Sequence, residues 1–158
     1  MTRFGKQTPS QSVILDYRES RYQEAVALYK KTKLEVYEWQ LNILKDIMAV
    51  DEEGLWVHQK FGYSLPRRNG KTEIVYILEI WALHQGDNIL HTAHRISTSH
   101  SSFEKVKKYL EKMGYVDGKD FNSIRAKGQE KIELKKVVGL FSLELGLKMV
   151  VLVRALTL

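Results

Sequence analysis

Residues 64–72 read Ser-Leu-Pro-Arg-Arg-Asn-Gly-Lys-Thr, and they restrict the folds open to this chain more than any other stretch. They end in Gly70-Lys71-Thr72. There begins a segment, 71–85, in which Ile74, Ile77, Leu78 and Trp81 recur at helical spacing. Just upstream stands LWVHQKFGYSL, residues 55–65, whose aromatic and apolar side chains predict a strand. A strand, a loop and a helix in that order form an α/β unit whose helix N-terminus and loop amides can surround an anion. In such a unit Gly70 lets the backbone approach phosphates, Lys71 bridges the β- and γ-phosphates, and Thr72 offers a hydroxyl to Mg²⁺. Arg67 or Arg68 can stabilise phosphate charge from within the loop. The usual pattern is G-x-x-x-x-G-K-[ST], and here Leu65 replaces its first glycine. A surface turn is therefore the competing reading of the same residues.

The remainder supports an α/β layer fold. Residues 18–32 predict an amphipathic helix with Tyr22, Ala25, Val26 and Tyr29 on one face, and 38–49 a second with Leu41, Leu44 and Met48 inward. NILHTAH, residues 88–94, predicts a short strand. Ser101 and Glu104 have capping-box spacing, and Phe103, Val106, Leu110 and Met113 form the stripe of the helix they would open. NSIRAKGQEKIEL predicts a hairpin turning at Lys127-Gly128, with Glu130 and Glu133 facing solvent. Strands alternating with helices imply parallel pairing. The expected fold is α/β, a layered sheet with flanking helices. No internal repeat or low-complexity tract interrupts it.

The chain has 158 residues, enough for one domain with a real core. It contains no cysteine, which excludes a disulfide framework and cysteine-based zinc sites and fits a reducing cytoplasm. The polar start, MTRFGKQTPSQS, lacks the apolar run of a signal peptide. A net charge of +6 favours polyanionic partners without specifying one.

Two further stretches join PRRNGKT, residues 66–72, in a resemblance. YEWQLNIL, residues 37–44, places a Trp-Gln pair at the start of a predicted helix, and TAHRISTSHSSFEKVKKYL, residues 92–110, runs from strand to helix after the loop. In this order, over residues 36–113, the three resemble the large terminase subunit of tailed bacteriophages, whose variant phosphate loop has the form PRxxGKT. The resemblance implies a P-loop ATPase that powers the packaging of double-stranded DNA into proheads, with ATP and Mg²⁺ as cofactors, and an α/β fold that is a partial P-loop NTPase sheet with flanking helices, incomplete relative to a full ATPase domain. It assigns nucleotide binding to Gln40, Arg67, Arg68, Asn69, Gly70, Lys71 and Thr72, with Gln40 reading adenine and Thr72 on the metal. It gives His94, Arg95 and Thr98 no chemistry. Its implied partners are DNA, the small terminase subunit and the portal, without a membrane, in the bacterial host cytoplasm. Residues 1–35 then form a helical lead-in, 36–136 the N-terminal part of the ATPase domain, and 137–158 an apolar tail.

Two elements of that family have no counterpart here. Hydrolysis needs an acid at the end of a second apolar strand to hold Mg²⁺, and a group to orient water. The family has adjacent acids there, whereas VDEEG at 50–54 precedes the loop. No carboxylate cluster after the loop suits a two-metal nuclease. Turnover and DNA cleavage are therefore expected to be absent from this chain. The tail, VVGLFSLELGLKMVVLVRALTL, has neither a clean period of two nor a helical stripe, and lacks the unbroken apolar length of a spanning helix. Read in another frame, with permitted synonymous codons, it gives GGLIQFRTRTKNGGLGEGFD, which resembles the terminase segment leading into the acidic strand. Lys148-Met149-Val150 restrict that frame to Asn or Asp followed by Gly. The expectation is a truncated, frameshifted product of a decayed prophage gene, with a non-native tail that covers exposed core or drives association. The competing reading of the tail is an ordinary apolar strand or helix on the core. The competing reading of the protein is a non-enzymatic basic DNA-binding module working through Lys105 to Lys136. A compact helicase-like or kinase-like P-loop enzyme, and membrane association through the tail, rank below it.

Overall fold

The computed structural model describes residues 5–93, 96–126, 129–135, 139–145 and 151–154. Its architecture is mixed α/β, with helices packed on a mixed sheet. Strand β1 (Glu19–Ser20) precedes helix α1 (Tyr22–Tyr29), a 3-10 turn at Lys30–Thr32, α2 (Glu38–Ile47) and β2 (Ala49–Val50). Helix α3 (Lys71–Gln85), β3 (Asn88–Ala93) and α4 (Ile96–Lys112) follow. The hairpin β4 (Phe121–Ala126) and β5 (Gln129–Leu134) then leads to β6 (Gly139–Leu145) and β7 (Val151–Arg154).

The first two helices are shorter than their periodicity predicts, and one pairing explains both. Glu19 and Ser20 pair antiparallel with Val50 and Ala49, and the Arg21 amide donates to the Met48 carbonyl at 3.0 Å. Residues in that ladder cannot also be helical, so α1 starts late and α2 stops early. Helix α3 spans the predicted range. Its C-terminus closes on Gly86, whose φ of +89° is the left-handed conformation that glycine adopts without a Cβ clash. Helix α4 begins at Ile96, upstream of the predicted cap. Ser101 lies inside it, its Oγ donating to the Ser97 carbonyl at 2.8 Å, one turn back.

The sheet order is β4-β5-β6-β3-β7. Parallel pairing holds only between β3 and β6; β3 and β7, β5 and β6, and β4 and β5 are antiparallel. Hairpin register sets Ala126 opposite Gln129, as predicted, and the turn residues Lys127 and Gly128 lie outside the described residues. Ile132 pairs with Phe141 and Phe141 with Ile89, so one buried row crosses three strands. Each of these side chains contributes roughly 1.5–3 kcal/mol by leaving water. Their sheet neighbours Lys131, Leu90 and Ser142 point to the other face and are only partly buried, the alternation of a sheet covered on one side.

Helix α3 is the hub. Ile74, Val75, Tyr76, Ile77, Ile80, Trp81, Ala82 and Leu83 are all buried, because α3 packs against α1, α2 and α4 as well as β3, β6 and β7. That is more enclosure than a one-sided stripe predicts. Helix α4 presents Phe103, Val106, Tyr109 and Leu110 to the core.

Two further expectations do not hold. Residues 55–65 form no strand; Trp56 makes a single bridge to Val50, and Leu55 is exposed. Strand propensity is realised only beside a partner, and β6 and β7 occupy both flanks of β3. Those flanking strands come from the apolar tail, to which the pattern of residues assigned no element. Glu130, predicted to face solvent, is buried, with Oε1 3.4 Å from His100 Nδ1. Among the described residues no helix is long and apolar enough to cross a membrane.

Candidate functional site: the loop before α3

Arg67, Arg68, Asn69, Gly70 and Lys71 are exposed and form the loop and first residue of α3, with Thr72 half-buried behind them. Gly70 is the N-cap residue at φ +72°, and Arg68, two residues earlier, has φ +67°. For arginine that conformation is strained by about 1–2 kcal/mol. No side chain caps the N-terminus of α3, so its first N–H groups lack the acceptor that a Ser, Thr, Asp or Asn normally supplies. Arg67, Arg68 and Lys71 form no ion pair among the described residues. Three unpaired cations thus share one short loop with an open helix N-terminus.

Side chains from other elements hold this turn. Gln40, 2% exposed, donates from Nε2 to the Gly70 carbonyl at 3.1 Å and accepts the Tyr37 amide at Oε1 at 2.9 Å. The Tyr63 hydroxyl donates to the Lys71 carbonyl at 2.9 Å, and burial with the nearby Glu79 carboxylate pushes the phenol up to about 12. Next to Thr72, Glu73 accepts the hydroxyls of Tyr29 at 2.7 Å and Tyr109 at 2.6 Å on one oxygen. Lys105 lies 3.7 Å from its other oxygen. Burial, then the bond to Glu73, raises the Tyr109 phenol far above its ordinary range, so both partners stay protonated donors. Helices α1, α2 and α4 therefore all contribute to fixing the first turn of α3.

The structure brings together every residue expected in the nucleotide set: Gln40 touches Gly70, and residues 67–72 are contiguous. His94 and Arg95 lie outside the described residues, and Thr98 is exposed on α4. Among the described residues no three His, Cys, Asp or Glu side chains are grouped to hold a metal ion.

A second polar cluster escaped the sequence pattern. Glu79 of α3 and His91 of β3 are both fully buried, with Glu79 Oε1 2.5 Å from His91 Nδ1. Burial raises the Glu79 carboxyl and the His91 bond pulls it back, the net direction being up. Glu79 Oε2 and His91 Nε2 are enclosed without a hydrogen-bond partner among the described residues. Glu79 lies in the helical sequence between Leu78 and Ile80, and that apolar setting was the only available signal.

Comparison with known proteins brings no match: no family model fits the chain, and no curated protein and no solved structure is significantly similar to it.

Proposed function

We propose that this chain is part of a phage terminase-like P-loop ATPase domain and that the loop before α3 binds the triphosphate of ATP. The observation that carries the binding is the uncapped N-terminus of α3 beside the unpaired Arg67, Arg68 and Lys71. Lys71 would contact the β- and γ-phosphates, Gly70 and Asn69 would line them with backbone, and an arginine would neutralise the outer charge. Mg²⁺, held by Thr72 and the phosphates, would neutralise charge on the triphosphate. Binding without turnover is expected, since the chain has no adjacent acids at the end of an apolar strand after the loop.

The test is equilibrium binding of Mg-ATP to wild type and Lys71→Ala. Loss of one charge-assisted bond of about 1.5–3 kcal/mol should weaken binding by roughly 10- to 150-fold. Equal binding by both proteins refutes the phosphate reading, and hydrolysis abolished by Lys71→Ala refutes the absence of turnover. DNA binding that is salt-dependent and indifferent to ATP and Lys71 would favour the basic-module reading instead. Against that reading, several of its cations are engaged internally. Lys107 binds Asp117 at 2.7 Å and Ser123 at 3.2 Å, and Arg125 pairs with Glu104 at 3.2 Å.

We further propose that residues from 137 onward are terminase sequence read in a shifted frame, on the strength of the alternative translation alone. The coding DNA decides this. Codons that yield FRTRT and GLGEG in the second frame, running into an apolar strand with adjacent acids, support it. Codons that yield neither sequence end it.

A further inference from the structure

Gln40 is the residue whose expected role and observed bonding differ most. An amide side chain that reads adenine does so in pairs, accepting from one base atom and donating to the adjacent one, so Oε1 and Nε2 must both face the base. Here both atoms are engaged elsewhere. Oε1 accepts the Tyr37 amide at the head of α2, and Nε2 donates to the Gly70 carbonyl. Of the four hydrogen-bonding positions of the group, one N–H and one lone pair remain, on an amide that is 2% exposed and so closed to a base arriving from solvent. Packing points the same way. A Cβ added at Gly70 would lie 3.4 Å from Gln40 Nε2, so the side chain sits against the turning point of the loop.

The geometry points to Gln40 as a positioning residue for the phosphate loop, acting on its backbone and not on the nucleobase. It ties the first turn of α2 to the residue that opens α3. Gly70 holds a positive φ at that point, and a carbonyl anchored from behind leaves the N–H groups facing outward. The contribution of Gln40 to affinity is therefore the same for any ligand that carries the triphosphate, whatever base is attached. This inference rests on the reading of the loop as a phosphate site, and the test separates the two.

Wild type and Gln40→Met, which keeps the shape and loses both bonds, are titrated with Mg-ATP, Mg-GTP and Mg-tripolyphosphate. All three should weaken by the same factor, roughly three- to tenfold for one or two buried hydrogen bonds. Weakening of ATP alone identifies a base reader and overturns the inference, as does no weakening of any ligand. Gln40→Glu keeps an acceptor for Tyr37 and loses the donor to Gly70, and it should reproduce the pattern if the methionine variant does not fold. If wild type binds none of the three in a Lys71-dependent way, the phosphate reading has failed, and the anchor is judged without ligand. The Glu73 amide, bonded to the Gly70 carbonyl at 3.1 Å, should then exchange with deuterium several-fold faster in the variant, while Val106 and Tyr109 are unchanged. Unchanged exchange at Glu73 overturns the inference.

Discussion

His91→Leu should lower the free energy of unfolding by about 3–5 kcal/mol, the loss expected when one member of a buried ionisable pair is removed and the other is left enclosed. Among the described residues Glu79 has no other partner for its carboxyl group, and both side chains lie where α3 meets β3. The double variant Glu79→Leu/His91→Leu should recover most of that loss, because it removes two desolvated polar groups together. Urea unfolding at constant m value measures both. A single-variant effect below about 1 kcal/mol would place the pair in contact with water. The pH dependence has a definite sign. Burial raises the Glu79 carboxyl above its unfolded value of 4.5, so the folded state binds this proton more tightly than the unfolded state. Its contribution is fully present below pH 4.5 and is lost as the pH rises through the folded value. Glu79→Gln should flatten that part of the stability curve.

Phe141→Ala should cost about 3–5 kcal/mol, as for a fully buried aromatic side chain. Phe141 sits in β6 between Ile132 and Ile89 and packs 5.9 Å from the His91 ring. A variant ending at Lys136 should lose more. It leaves β3 without both neighbours and β5 with one open edge, so it should not unfold cooperatively and should associate. The comparison bears on the shifted-frame proposal as well. If that shortened variant unfolds at the same urea midpoint as wild type, the tail adds nothing to the fold and behaves as a passenger. If it collapses, these residues have become structural whatever their origin.

Much of the candidate site was legible because its signals are local. Pro66, Gly70, Lys71 and Thr72 mark a loop and a helix start within seven residues, and α3 begins and ends where its spacing and Gly86 place it. The stripe of α4 was legible for the same reason, although its start was not. Ser101 had the spacing of a cap, but the cap geometry depends on backbone that the helix had already taken up. The hairpin register was legible because Lys127-Gly128 is a turn signal in the sequence, and Ala126 does pair with Gln129.

By itself, the sequence determined where helices can form, which faces are apolar, and that three cations gather at one loop. Those properties depend on side-chain period and on neighbours a few residues away. Tertiary structure decided which apolar stretches become strands, since β propensity counts only beside a partner. Residues 55–65 have that propensity but only the single bridge from Trp56 to Val50, while the tail supplies β6 and β7 because β3 and β5 had open edges for it. It also decided that Gln40 reaches Gly70, across thirty residues of chain, and that Glu79 meets His91 in the dark of the core. Long-range contacts of this kind leave no periodic trace in the sequence. They exist only once burial has removed water as the competing partner.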